Sequence, residues 1–431
     1  MKLKVSEILP CETNHYTEYM NSFIPSEAFI SLKQDDSEET IPVIKIGDTV
    51  TEGQILASGK KVHGSIVHSS IPGIIENIEY KTTPDGKKTK TIKIKMHGEF
   101  SYFNKTKKNI AWQSFPPATL RRIIAENGII NTFDKPYPLS LKLDYYSDKN
   151  SVPAIIVRMF DLDPSCTIDR FIAENYCKQV IEGACIIAAA IGSSDIIIVY
   201  PENFTISNDD KENLPEFISH FVDTSKYPCG ETKELITSIN KRKNNKRKIT
   251  FSDLFIDSTT AFSVYESVVF NQPIVERFVQ VSGHSLMGNR IMKVRIGTPI
   301  KMLAAECGGF VKNPEKIVIN GLLYGTNVTD LDIPITKYVK SVIFMPKKEL
   351  MNQKESECIQ CGNCRSVCPE DLLPDILYSI YKKNYVYEKD FIKTIALCRD
   401  CLMCNLVCPA RLPLNQTIAI LKKDEKGSNN E

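Results

Sequence analysis

Residues 358–369 read CIQCGNCRSVCP, and the same pattern returns at residues 398–409 as CRDCLMCNLVCP. Each run separates its first three cysteines by two residues and its third from its fourth by three, with a proline behind the last. This is the cysteine spacing of a two-cluster bacterial ferredoxin, present twice in full. A cubane needs four thiolates on four irons, and one tight loop supplies three of them. The fourth comes from the other run, so each loop closes its neighbour's cluster. Cys358, Cys361, Cys364 and Cys408 are therefore expected to hold one [4Fe-4S] cluster, and Cys368, Cys398, Cys401 and Cys404 the second. Pro369 and Pro409 stop a helix from starting at the fourth cysteine, and Gly362 permits a tight turn. A zinc site would use four tetrahedral ligands, commonly two CxxC pairs, and has no need of a third and fourth cysteine plus proline in each run. Between the runs, Leu373, Ile376, Leu377, Ile380 and Tyr381 fall at helical spacing, which predicts a helical insertion.

The chain has 431 residues, 42% hydrophobic and 25% charged, which excludes a disordered or collagen-like polymer and predicts several domains. A net charge of +2 gives no electrostatic footprint for nucleic acid. The longest apolar run, Ala184 to Ile191, falls far short of the ~20 residues a membrane span needs. The first residues, MKLKVSEILPCETNHYTEYM, lack a continuous apolar core, so no secretory signal is expected and the cytosol is the expected compartment. Of the 14 cysteines, those outside the two runs are Cys11, Cys166, Cys177, Cys185, Cys229 and Cys307. They read as small buried hydrophobes.

Short alternating runs rich in Thr, Ile and Val fill the first hundred residues. Turn signals at Gly47-Asp48, Gly53-Gln54 and Pro72-Gly73 divide Ile41–Tyr80 into short strands. The pattern resembles the barrel-sandwich fold of lipoyl and biotinyl carriers. Gly59-Lys60-Lys61-Val62-His63 matches neither carrier's lysine setting, so a structural β module is expected. Helical texture then begins, with Thr119–Asn127 as a first helix ending before Gly128. Pro153–Val157 reads as a buried strand, Cys166–Ala190 as helical, and Asp195–Tyr200 as a second buried strand. That order predicts a parallel, doubly wound α/β domain. Lys241–Lys248, KRKNNKRK, reads as a solvated loop. Strands are expected at Phe278–Gly283, Lys293–Pro299 and Ser341–Pro346, with a helix at Ile300–Glu306, and Lys347–Glu357 reads as a linker.

Taken together, IPVIKIGDTVTEGQILA, VHSSIPGIIENIE, AFSVYESVVFNQPIVERFVQVSGHSLMGNRIMKVRIGTPI and the doubled cysteine run resemble the RnfC family, one of the subunits of the Rnf electron transport complex. The resemblance implies a multidomain α/β-plus-β chain. Its parts are an N-terminal barrel-sandwich at 1–108, an α/β domain like the flavin subunit of complex I at 109–271, an SLBB-like β-grasp at 272–346, and a helical two-cluster ferredoxin-like domain at 347–431. It further implies FMN and NADH in the α/β domain, held by a loop of the form GIVGxGGAGFPTxxKL. Here the corresponding residues 128–143 read GIINTFDKPYPLSLKL, keeping Gly128 alone of the glycines, with Pro138, Lys142 and Leu143 holding the frame. Glycines let backbone N–H groups close on a phosphate. Asn131, Phe133 and Pro136 put side chains in that place, and Asp134 adds like charge. The family's acidic Glu-Cys-Glu-Pro segment reads Asp161-Leu162-Asp163-Pro164, without its cysteine. The departure leaves Gly128 and Lys142 as remnants of a degenerate loop and weighs against both FMN and NADH.

The expectation is a peripheral electron-transfer subunit of a membrane Rnf-type ion-translocating oxidoreductase, on the cytoplasmic face of the cell membrane. Its two clusters would relay electrons between membrane subunits and a soluble carrier such as ferredoxin or flavodoxin. A soluble NADH- and FMN-dependent iron–sulfur dehydrogenase is one alternative, and a structural subunit with clusters off the main path is another.

Overall fold

In the strand Lys88–Met96, Ile92 and Ile94 are buried while Lys93 is half-buried and Lys95 exposed on the other face, the alternation of a sheet with one wet side. The computed structural model describes residues 16–60, 64–102, 109–149, 152–201, 204, 218–223, 227–242, 247–347, 355–383 and 394–428. Cys11, residues 61–63 of the hairpin tip and residues 243–246 of the basic run lie outside them. The chain divides into one unit from Cys11 to Lys347 and another formed by Met1–Pro10 with Lys348–Glu431.

Lys88–Met96 belongs to a four-stranded sheet in the order Glu27–Ser31, Lys88–Met96, Gly73–Thr82 and Thr49–Val50. A three-stranded sheet of Ile41–Pro42, Ile55–Ser58 and Ile66–His68 accompanies it. Ile30, Leu56, Val67, Ile75 and Ile94 share one core between them, which makes this part a barrel-sandwich.

The second part is a four-stranded parallel sheet in the order Ile218–Asp223, Ile196–Pro201, Ile155–Arg158 and Leu254–Asp257. Its central strands are apolar because both faces are covered. Ile155, Val157, Ile196 and Ile198 join one core, and Ile156, Ile197, Val199 and Phe255 join the core on the other face. The first core takes the helices Pro117–Glu126, Leu139–Ser147, Ile168–Asn175, Cys177–Ile191 and Ser258–Phe270, and the second takes Thr232–Arg242 through Leu235 and Ile239. The helical stretch expected from Cys166 to Ala190 is two helices, broken at Tyr176, whose φ of −133° and ψ of 36° leave the helical region. Gly183 lets two helices touch: a Cβ there would lie 1.9 Å from the Ala261 carbonyl oxygen. From Ile155–Arg158 the chain winds first to one side of that strand, then returns to its other side with Leu254–Asp257. The order thus reverses between these two strands, where parallel α/β sheets open a ligand crevice at their carboxyl ends.

The third part is a six-stranded mixed sheet in the order Met20–Asn21, Arg290–Arg295, Glu276–Ser282, Ser341–Pro346, Pro314–Ile319 and Thr326–Val328. The helix Ile300–Glu306 adds Ile300 and Leu303 to a core with Val279, Val281 and Phe344. Its edge strand comes from near the start of the chain, with Met20 paired to Met292 in parallel and packed on that core. Residues 272–346 therefore do not build this sheet by themselves. Two buried cations tie the parts together. Arg295 of the mixed sheet pairs with Glu52 of the barrel-sandwich and donates to the Ser70 carbonyl at 2.9 Å. Lys337 donates to the carbonyls of Ile66 and Gly128, both at 2.7 Å.

In the C-terminal unit the short helices Asn363–Ser366 and Met403–Leu406 each follow a cysteine loop, and the longer helices are Pro374–Lys383 and Leu414–Ser428. The first long helix lies in the predicted insertion. Leu377, Ile395, Ile418 and Leu421 form one small core. Left-handed residues recur in step: Gln360, Gly362 and Asp371 in the first run, Asp400, Leu402 and Arg411 in the second. The two loops are the same backbone built twice.

Candidate functional site

Those repeated turns decide where the thiols go. Cys358, Cys361 and Cys364 line one pocket together with Cys408 and Pro409, which arrive from the second run. Burial pushes the Cys404 thiol up to about 12, and the charges of Cys401, Cys398 and Cys368 add to the shift. Each fourth cysteine accepts a backbone N–H from four residues on: Leu372 to the Cys368 sulfur at 3.3 Å, and Leu412 to the Cys408 sulfur at 3.5 Å. Among the described residues no three His, Cys, Asp or Glu side chains converge as a single metal ion would require. A cubane makes no such demand, since each thiolate binds a different iron. Cys361 is exposed, whereas Cys364, Cys401 and Cys404 are buried. The residues present can hold two cubane clusters, one per crossed group, whose chemistry when bound is one-electron transfer.

A second candidate is the crevice at the strand ends. It holds a cleft of about 180 Å3, lined among others by Phe133, Asp134, Arg158, Asp161, Asp169 and Lys340. Arg158 is fully buried and spends its guanidinium on the carbonyls of Phe160, Gly230 and Phe133, at 3.1, 2.7 and 2.9 Å. The Phe133 ring stacks on it at 4.1 Å. Lys340 bridges Asp169 and Asp257, both at 2.6 Å. Asp257 also caps the helix Ser258–Phe270 by accepting the Thr260 N–H. Burial raises the Asp257 carboxyl, yet Lys340 outweighs it and holds the group at about 2. Asp161 goes the other way: burial, then the charge of Asp169, lifts it to about 7. Asp163 accepts the N–H groups of Ser165, Leu323 and Tyr324.

Residues 12–99 match the family model of the RnfC barrel sandwich hybrid domain. The C-subunit of an ion-translocating oxidoreductase complex from Rhodobacter capsulatus is 25% identical over 361 residues, covering 81% of this chain and 69% of that protein. Its counterpart from Buchnera aphidicola is 28% identical over 400 residues, covering 91% and 82%. Along most of its length this chain is similar to the C-subunits of Rnf-type complexes. The C-subunit of the proton-translocating ferredoxin:NAD(+) oxidoreductase complex of Clostridium ljungdahlii is 27% identical, covering 85% of this chain and 80% of that protein. Residues 124–271 match the Nuo51 FMN-binding domain. An air-oxidized NAD+-reducing [NiFe]-hydrogenase gives a TM-score of 0.47 at 14% identity, covering 71% of this chain and 63% of that one, less than two thirds of its length.

The Nuo51 match implies a flavin in the crevice of this chain, and the crevice residues do not fit one. Two of the loop N–H groups are already spent: Thr132 donates to the Thr260 hydroxyl at 3.0 Å, and Phe133 to the Asn131 side chain at 3.0 Å. Pro136 has none to give. The cleft is smaller than the ~300–1,000 Å3 typical of ligand sites. The two loop remnants serve elsewhere. A Cβ on Gly128 would sit 2.4 Å from Lys337 Nζ and 2.6 Å from the Ile66 oxygen, so this glycine serves the junction with the barrel-sandwich. Lys142 is exposed, about 6 Å from the Tyr137 and Tyr145 rings, and does not line the cleft. Sequence reading missed Arg158, Asp169, Asp257 and Lys340. Asp257 carried a usable signal, an acidic cap before Ser258-Thr259-Thr260 and an apolar run. Lys340, far along the chain, carried none.

Proposed function

We propose that this chain relays electrons through two [4Fe-4S] clusters as a peripheral subunit of an Rnf-type ion-translocating complex. Cys358, Cys361, Cys364 and Cys408 hold the first cluster, and Cys368, Cys398, Cys401 and Cys404 the second. The observation that carries this reading is the pocket in which three thiols of one run meet the last thiol of the other. A zinc site would not interleave two complete runs in this way. The C-terminal unit is then a ferredoxin-like module, and the mixed sheet with its helix a β-grasp. Among the described residues no helix is long and apolar enough to cross a membrane; on this reading, attachment runs through the other subunits of the complex, at the cytoplasmic face. Cys361, exposed beside the exposed Ile359, offers an edge for exchange with a carrier such as ferredoxin or flavodoxin.

Anaerobic reconstitution tests this reading. The full chain should take up about eight irons, and dithionite should bleach the charge-transfer absorption. Uptake of one or two zinc ions in place of iron would reject it. The Nuo51 match favours a second reading, an NADH- and FMN-dependent dehydrogenase carried on this chain alone. Spent N–H donors and an acidic lining weigh against it.

A further inference from the structure

We infer that the nucleotide crevice of this chain is closed by its own side chains, and that the α/β domain stands as a cofactor-free scaffold. The crevice lies at the point of strand-order reversal, where a dinucleotide or flavin belongs in such a sheet. Two cations and two loop N–H groups that would receive a phosphate there are committed to other partners. Both cations are consumed, Lys340 by Asp169 and Asp257 and Arg158 by three carbonyls. Phe133, packed on Arg158, occupies the approach. The Thr132 and Phe133 N–H groups have internal acceptors.

Charge acts in the same direction. Asp134, Asp161, Asp163 and Asp169 line the cleft against Arg158 and Lys340, so a phosphate meets net negative potential there. To admit a flavin, Lys340 would have to leave two buried carboxylates without their cation, which is the costly way to break a buried ion pair. The Lys340 bridge thus takes the role a bound anion's partner would have: it ties the strand end at Asp257 to the helix Ile168–Asn175 through Asp169 and to the mixed sheet through itself. Electrons then reach this chain only from another protein. That consequence rests on the cluster reading, whereas the closure of the crevice does not.

The test uses the full chain purified anaerobically. Acid-extracted flavin should be below about 0.05 per chain, and 1 mM FMN or NADH should leave the thermal midpoint within about 0.5 °C of its starting value. NADH should not bleach clusters that dithionite bleaches. A second measurement addresses the self-filling directly: Lys340→Met should lower the midpoint of the flavin-free protein by several degrees, and adding Asp169→Asn and Asp257→Asn should recover much of that loss. Near-stoichiometric flavin, or a saturable shift with FMN, overturns the proposal. So does a Lys340→Met chain as stable as the parent. An iron content near zero with these results unchanged would reject the relay and leave the closed crevice standing.

Discussion

Replacing Cys408 with alanine removes one thiol from the second run, and its effect should appear in the first. Cys408 lines the pocket of Cys358, Cys361 and Cys364, while on the crossed assignment Cys398, Cys401 and Cys404 group with Cys368. Alanine is preferred to serine because a serine oxygen can itself ligate iron. With three thiols left, the first cubane is lost, and iron should fall from about eight to about four per chain. Protection from alkylation gives the residue-level readout. After brief anaerobic iodoacetamide treatment and peptide mapping, label should appear at Cys361 first, since it is exposed, then at Cys358, and last at the buried Cys364. Cys398, Cys401 and Cys404 should stay protected at the parent level. Cys368→Ala should give the mirror image, with label at Cys398, Cys401 and Cys404. If Cys408→Ala instead unmasked Cys398, Cys401 and Cys404, each run would be closing its own cluster and the crossed assignment would be wrong.

Asp161→Asn should stabilise the protein in a pH-dependent way. With its folded pKa raised to about 7, Asp161 binds more proton in the folded than in the unfolded chain between about pH 4 and 7, so it lowers stability as pH rises through that window. The variant's gain should be near zero below about pH 4 and grow through pH 7 to a few kcal/mol, since the carboxyl moves from 3.8 to about 7; a gain independent of pH would contradict the titration. Gly183→Ala should cost about 1–3 kcal/mol by pushing apart the helices Cys177–Ile191 and Ser258–Phe270, read by chemical denaturation, and a neutral result would mean that the helix contact is loose. Gly362→Leu should keep a full complement of iron, because Leu402 already holds the matching left-handed turn in the second loop at φ 59°. Its expected cost is about 1 kcal/mol of apoprotein stability, and loss of the first cluster would show that the two loops are not equivalent.

Much of this architecture could be read from local pattern. The strands Ile155–Arg158 and Ile196–Pro201 were legible because burial on both faces leaves a continuous apolar run, and the helix Ile300–Glu306 because a proline precedes it. Leu254–Asp257 and Ile218–Asp223 escaped: the first is only four residues, and the second mixes Ser, His and Asp into its run. The cysteine groups are an expectation from spacing, and the pocket that joins Cys358, Cys361 and Cys364 to Cys408 supports the first of them. The crevice was legible only as a set of missing glycines. That Lys340 joins Asp169 and Asp257 depends on a meeting of two domains, and no window of sequence contains both sides of it. For the same reason Gly128 read as a relic of phosphate binding, when its carbonyl is an acceptor for Lys337.

That junction bears on how the molecule can be taken apart. A truncation that deleted the first hundred residues would remove Met20 from the edge of the mixed sheet and Glu52 from Arg295. It would also leave the Lys337 ammonium with one carbonyl in place of two, in a site where burial already draws its pKa down to about 7. Losing Glu52 costs at most about 3–5 kcal/mol, the usual measure of a broken buried pair, because Glu276 stays 3.8 Å from Arg295 Nε, and even part of that is a large fraction of what holds a domain folded. The barrel-sandwich is therefore not a cassette. It can be transplanted only in company with Arg295, Lys337 and the strand Arg290–Arg295, and a truncation that begins after it should yield insoluble protein where one that ends before the cysteine loops should not.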